Sequence, residues 1–323
     1  MLELAVVTDD LTKRFGEFTA VDGINLQVAA GTVVSLLGPN GAGKTTIVRM
    51  LATLSEPTSG SALVCGHDVV RDADAVRSVI SLTGQFAALE ANLTAHENLV
   101  LVARLRGFGR GEAVRTANRL IERFDIGEFR DKLVKSVSAG QRRRVDLAAS
   151  VVTQPQLLVL DEPTTGLDPR SRQVVWSTIR ELVSDGVTVL LTTQYLEEAD
   201  ALADSIVLID HGRTVAAGSP SDLKAQIGEH RVDVVATDNA GLDRLIAALH
   251  PFEMKVSRDR RTISIPAPLE AIDLNAVAAC LAAGSVPVDE VALRRPTLDD
   301  AFLALTGQAP APENRAEPVV VTA

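Results

Sequence analysis

Residues 4–34 alternate short β-branched runs with turn residues, a period-two pattern that predicts an antiparallel β-layer. The run Val33-Val-Ser-Leu-Leu37 is apolar at four of its five positions, as a strand buried on both faces must be. It gives way to a glycine-rich stretch and then to Ile47-Val-Arg-Met-Leu51, which reads as a helix. Residues 61–65 predict a short strand, 72–78 a helix, and 79–83 a strand that ends at Gly84-Gln85. A helix-rich insert follows. Thr94-x-x-Glu97 is a capping box, and Leu99, Val102, Ala103 and Leu105 continue a helical stripe from it. A second helix is predicted over residues 112–124, then a loop over 128–137. Ser138 can cap a helix through residue 150, which Gln154-Pro155 stops. Leu157-Leu-Val-Leu160 predicts another buried parallel strand running into Asp161-Glu162-Pro163. Asp168-Pro169 starts a helix to about residue 184, and Asp185-Gly186 turns the chain into a strand over 187–193. Glu197 and Glu198 open the next helix, strands 205–210 and 213–217 flank His211-Gly212 as a hairpin, and a short helix from Ser219-Pro220 ends by residue 228.

Beyond residue 228 the pattern restarts as strand, helix, two strands, helix, strand and a final helix over 298–305. This βαββαβ order predicts a small ferredoxin-like α+β unit of about eighty residues. Residues 308–323, rich in Pro, Ala and Glu, read as a disordered tail. The expected organisation is an α/β domain over 1–228, the α+β domain over 229–307, and the tail.

Composition adds limits. A length of 323 residues suits two domains. Hydrophobic residues make up 46% but aromatics only 3%, so the core must be built of Val, Leu, Ile and Ala. A net charge of −10 argues against a nucleic-acid partner, which needs a basic face. Residues 1–10 lack the basic region and apolar core of a secretory signal. No apolar stretch approaches the ~20 residues that span a bilayer, so a soluble protein is expected, with any membrane role exerted through a partner. Cys65 and Cys280 are too few and too far apart for a disulfide framework or a metal site, and are expected to be buried free thiols.

The chemistry centres on Gly38-Pro39-Asn40-Gly41-Ala42-Gly43-Lys44-Thr45-Thr46, placed between a buried strand and a helix. Glycines let successive backbone N–H groups turn inward around phosphate oxygens, and the helix adds its positive dipole end. Lys44 can reach the β- and γ-phosphates, and Thr45 can place a hydroxyl on Mg²⁺. A glycine-rich turn with a chance lysine would usually lack this strand-then-helix setting. Asp161 and Glu162 leave a buried strand at its C-terminal end, where ligands of doubly wound sheets sit. Asp161 can hold Mg²⁺ and Glu162 can orient or deprotonate an attacking water; the plainer alternative is an acidic turn after a core strand. Ala139-Gly140 exposes backbone N–H groups at a helix start, a second anion site. Arg142, Arg143 and Arg144 read as a solvated face, Gln85 as a loop glutamine, and Phe15 as a core aromatic that could instead stack on a purine.

Taken in order, these residues resemble the ATP-binding subunit of ABC transporters over roughly residues 4–228. Residues 38–46 resemble its Walker A loop, Gln85 its Q-loop, Ser138-Ala-Gly-Gln141 its signature, 157–162 its Walker B strand and catalytic glutamate, and Gly166-Leu-Asp168 its D-loop. Thr192-Thr-Gln-Tyr-Leu-Glu-Glu-Ala-Asp200 and Leu293-Arg-Arg-Pro-Thr-Leu-Asp-Asp-Ala-Phe302 narrow the resemblance to the daunorubicin/doxorubicin-resistance exporter type. It implies an ATPase with Glu162 and Gln194 catalytic and with Thr45, Gln85 and Asp161 on Mg²⁺. It also implies that Phe15, Ser138, Gly140, Gln141 and Asp168 contribute to the ATP site, the Ser138 helix start coming from a second copy facing the first head to tail. The implied partner is a separate membrane permease, reached from the cytoplasmic face, through which a hydrophobic drug, antibiotic or lipid is exported. Two positions depart from the family pattern. Ala139 stands where glycine is usual, a small change in a helix. Gln194 stands where histidine is usual; an amide can donate a hydrogen bond but cannot take up charge, so hydrolysis is expected to be slow. The alternatives are a soluble regulatory ATPase acting in translation or DNA maintenance, although such proteins usually carry two cassettes and this chain has one phosphate loop, and a binding-only switch. The C-terminal unit shows no chemical constellation and is expected to support dimerisation or permease contact.

Overall fold

The period-two opening of the chain forms β1 (Leu4–Phe15), β2 (Phe18–Ile24) and β3 (Gln27–Ala29). The computed structural model describes residues 3–84, 89–226, 230–268, 271–284, 286–295 and 297–306. β4 (Val33–Leu37), buried at every position, runs into α1 (Lys44–Leu51). β5 (Ser59–Val64) and β6 (His67–Asp68) then complete an antiparallel sheet in the order β2-β1-β5-β6, with β3 also paired to β1.

The chain continues through α2 (Ala73–Val79), β7 (Ile80–Thr83), α3 (Ala95–Leu105), α4 (Arg110–Arg123) and α5 (Ala139–Ser150). β8 (Leu157–Asp161), α6 (Pro169–Ser184), β9 (Thr188–Thr193), α7 (Leu196–Leu202), β10 (Ser205–Asp210) and β11 (Arg213–Gly218) follow. The second sheet has the order β11-β10-β4-β9-β8-β7, with five parallel strands and β11 antiparallel at one edge. β4, β8 and β9 are buried along their whole length, which is why they read as apolar runs rather than alternations.

Side-chain alternation along β8 sorts this unit into two cores. Leu158 and Leu160 join a cluster with Leu99, Leu120, Leu147 and Ile179 from the helical face. Leu157 and Val159 join Leu11, Val21, Ile47 and Met50, between the two sheets and α1. The antiparallel sheet is thereby held against the helix that follows the glycine-rich loop.

After α8 (Pro220–Ala225), the second unit contains β12 (Arg231–Ala236), α9 (Asn239–Ala248), β13 (Lys255–Ser257), β14 (Thr262–Pro266), α10 (Ala271–Gly284), β15 (Val288–Arg294) and α11 (Leu298–Thr306). Its sheet runs β13-β14-β12-β15, antiparallel throughout, the order of two interleaved βαβ units. Val232, Val234 and Ala236 share one face of β12 and pack with Leu242, Leu245, Val277 and Leu281 of the helices. The chain falls into compact units over residues 1–220 and 221–307. The expected boundary at residue 228 and the expected tail over 308–323 lie outside the described residues.

Candidate active site

Gly43, the residue that caps α1, has φ 105, a left-handed backbone that strains any other residue. A Cβ there would also lie 2.5 Å from the Ala20 carbonyl oxygen of β2, so the loop closes against the antiparallel sheet only because this position is glycine. The backbone N–H groups of Gly41 and Gly43 have no hydrogen-bond partner among the described residues, which leaves them open to an anion. Lys44 is 4% exposed, and its Nζ donates to the carbonyls of Gly38 at 2.6 Å and Pro39 at 2.9 Å. Burial lowers its pKa, while the nearby charges of Glu162 and Asp161 pull it back up.

Asp161 ends β8 opposite Thr192 of β9. Its Oδ1 accepts from Thr192 Oγ1 at 2.5 Å and from Thr45 Oγ1 at 3.3 Å, so one carboxylate joins β8, β9 and the start of α1. Glu162 turns away from the strand with φ 49, a conformation that costs a non-glycine residue about 1–3 kcal/mol. Its N–H donates to both the carbonyl and the hydroxyl of Thr192, each at 3.1 Å, and Oε2 accepts from Thr165 Oγ1 at 3.1 Å. Gln194 is half-buried just past β9, next to Thr193, whose carbonyl accepts from Gly38 N–H at 3.3 Å. Lys44, Thr45, Asp161, Glu162 and Gln194 are therefore gathered at the C-terminal ends of β4, β8 and β9. Gln85 lies outside the described residues. Among the described residues no group of three or more His, Cys, Asp or Glu could hold a metal ion.

Ser138, Gly140, Gln141 and Asp168 form a second group. Ser138 Oγ accepts from Gln141 N–H at 3.2 Å while Gln141 Oε1 accepts from Ser138 N–H at 3.0 Å, which fixes the start of α5. Asp168 caps α6, accepting from Ser171 N–H at 3.0 Å and from its hydroxyl at 2.6 Å. Among the described residues no hydrogen bond joins Ser138, Gly140 or Gln141 to residues 38–46. Phe15 is exposed, with Lys13 Nζ 5.2 Å from its ring centroid, so its ordinary expectation as a core aromatic does not hold. The three arginines are not a solvated face either: Arg142 is exposed, Arg143 is buried against Asp146, and Arg144 lies over the Phe129 ring. The two cysteines are half-buried rather than buried.

Sequence reasoning missed Thr192, the residue that ties Asp161 to Glu162. The available signal was a pair of hydroxyls, Thr192-Thr193, at the end of an apolar strand, where a polar group buried in a core needs a partner.

A phosphate-type loop after a buried strand, paired acids at the end of a strand two places away, and a separately capped helix start define a P-loop nucleoside-triphosphatase cassette. The chain belongs to the ABC transporter family, as an ATP-binding, ATP-hydrolysing subunit: the model of that family matches residues 21–165. It is 50% identical to a daunorubicin resistance ATP-binding protein of Streptomyces coeruleorubidus over 95% of this chain and 97% of the relative. It is 36% identical to a Nod factor export ATP-binding protein of Ralstonia nicotianae over 93% of both chains. Among solved structures, cbiO1 of Clostridium perfringens, part of an ABC transporter complex, has the same fold, with TM-score 0.65 and 24% identity over 69% of this chain and 92% of its own. A dimeric ATP-binding cassette bound to ADP and Pi matches with TM-score 0.60 and 25% identity, over 66% of this chain and 98% of its own.

Proposed function

We propose that this chain powers the efflux of a hydrophobic or amphipathic compound, a drug, antibiotic or lipid, through a separate membrane permease. The observation that carries the reading is the gathering of Lys44, Thr45, Asp161, Glu162 and Gln194 at the C-terminal ends of β4, β8 and β9, with no hydrogen bond among the described residues from the α5 start to residues 38–46. Each ATP site is completed by a second copy. The phosphate loop of one chain and the Ser138–Gln141 helix start of its partner enclose the triphosphate. The likeness to drug-resistance relatives over nearly the whole chain supports the exporter assignment. In this reading the path belongs to the permease, which the cassette meets at the cytoplasmic face; among the described residues no helix is long and apolar enough to cross a membrane.

Residues 38–46 wrap the phosphates, Phe15 stacks on adenine, and Asp168 contributes across the pair. Thr45 and Asp161 present hard oxygen donors close together, the kind Mg²⁺ takes beside nucleotide phosphates; the family resemblance adds Gln85 as a further donor. The ion supplies charge neutralisation on the phosphates. Glu162 orients and deprotonates water, and Gln194 donates its amide to the γ-phosphate. Closure on ATP and opening after hydrolysis reach the permease through Gln85.

In purified protein, Glu162→Gln is expected to lower ATP turnover at least about 100-fold, as loss of a general base does. ATP binding should persist, and the pair should be trapped closed, visible as a doubled mass with ATP. Turnover at the native rate in that variant overturns the assignment.

A further inference from the structure

Helix α7, which follows Gln194, buries a carboxylate that has no part in the site described so far. Glu198 is 1% exposed, and its Oε1 accepts from Thr164 Oγ1 at 2.7 Å and from Trp176 Nε1 at 3.2 Å. Thr164 is fully buried and stands two residues after Glu162. A carboxylate placed this deep is costly unless donors and an opposite charge answer it. Burial pushes its pKa up, while Thr193, Thr164, Trp176 and the charge of Arg143 pull it back.

Arg143 answers from α5. It is 7% exposed, and its Nη1 donates at 3.0 Å both to the Gly84 carbonyl and to Asp146 Oδ2. Its Nε and Nη2 have no hydrogen-bond partner among the described residues. One guanidinium thus holds the backbone immediately before Gln85 and lends its charge to the carboxylate that holds Thr164.

The turn after β8 needs such support. Glu162 keeps its left-handed backbone only if its surroundings over-determine it. Thr192 fixes the N-terminal side of that residue, and the backbone bond from Leu167 N–H to the Thr164 carbonyl at 3.1 Å closes the far side. The Thr164 hydroxyl is the anchor between them.

We infer that Glu198 is a positioning residue for ATP hydrolysis: through Thr164 it holds the turn that aims Glu162. The inference rests on the reading of Glu162 as the residue that activates water.

The test compares four variants of the full chain by ATP turnover, KM for ATP and thermal midpoint. Thr164→Val cuts the link and is expected to lower kcat on the order of 10- to 100-fold, the cost of misplacing a reacting group by about 1 Å. KM should stay within about twofold, because phosphate binding does not use the turn. Thr164→Ser keeps the hydroxyl and should keep kcat near native. Glu198→Gln keeps an acceptor but loses the charge-assisted bond, and should fall between the two. Native kcat in Thr164→Val, or a loss that Thr164→Ser does not spare, overturns the inference. If Thr164→Val fails to fold, native kcat in Glu198→Gln overturns it instead. The fourth variant, Glu162→Gln, separates the two levels. If it is inactive while Thr164→Val is fully active, only the positioning role fails; if it turns over normally, the underlying reading fails.

Discussion

At Gly140 the fold leaves no room for a side chain. A Cβ there would lie 2.3 Å from Ser171 Oγ and 2.7 Å from its Cβ, so α5 and α6 meet at this point without a methyl group to separate them. Gly140 therefore has a packing reason within one chain, in addition to the phosphate contact that its resemblance implies across two. Gly140→Ala is expected to destabilise the protein by about 1–3 kcal/mol, as overpacking does. Adding Ser171→Gly should recover part of that loss, because it removes both clashing atoms; equal midpoints for the single and double variants in urea unfolding would contradict the packing account. The neighbouring arginines carry the same lesson. On a helix, consecutive residues point about 100° apart, so a run of three like charges cannot share one face. Arg143 is turned inward, toward Asp146 and the Gly84 carbonyl, and the composition of the run gives no hint of it.

Caps are where individual elements were most legible. Thr94 and Glu97 form the reciprocal box that their spacing predicts, with Glu97 N–H donating to Thr94 Oγ1 at 3.1 Å and Thr94 N–H to Glu97 Oε2 at 2.8 Å. α6 begins at Pro169 behind Asp168, as the Asp-Pro pair requires. Both acids are titration reporters. The Thr94 N–H holds Glu97 below the usual carboxylate range, and the Ser171 hydroxyl and N–H do the same for Asp168. A carboxyl lowered in the folded state binds its proton less readily than in the unfolded chain. Its contribution is complete above the ordinary carboxylate range near ~4 and is lost as pH falls through the lowered folded values. The urea midpoint should therefore fall as pH drops below the ordinary carboxylate range near ~4, and Glu97→Gln should make that fall shallower. A variant with the native slope would remove Glu97 from the account. Strand ends were less legible than caps, because β5 begins at Ser59 through pairing with Thr12 of β1, a partner that no local pattern names.

At the scale of the molecule, the nucleotide chemistry lies in the unit over residues 1–220, and the second unit has a core of its own. That unit exposes Ile272 and Leu303. Truncation after residue 228 is expected to leave ATP binding intact and to reduce assembly with a second copy or the permease; an unchanged complex on size-exclusion chromatography would contradict this role. The sequence alone determined most of the order of strands and helices, though not β6, together with the phosphate-type loop, the capped helix starts and the acids after a buried strand. Those features depend on residues a few positions apart, within reach of one turn or one pleat. Tertiary structure alone decided that Asp161 meets Thr45 across 116 positions and Thr192 across 31, because only the sheet order β4-β9-β8 brings those strand ends together. It also decided that Glu162 takes a left-handed backbone, that Phe15 faces solvent and that Arg143 and Glu198 are buried. For Glu162, Arg143 and Glu198 the cause is a neighbour distant in sequence, Thr192, Gly84 and Thr164 respectively, whose hydrogen bond acts only once the chain has folded.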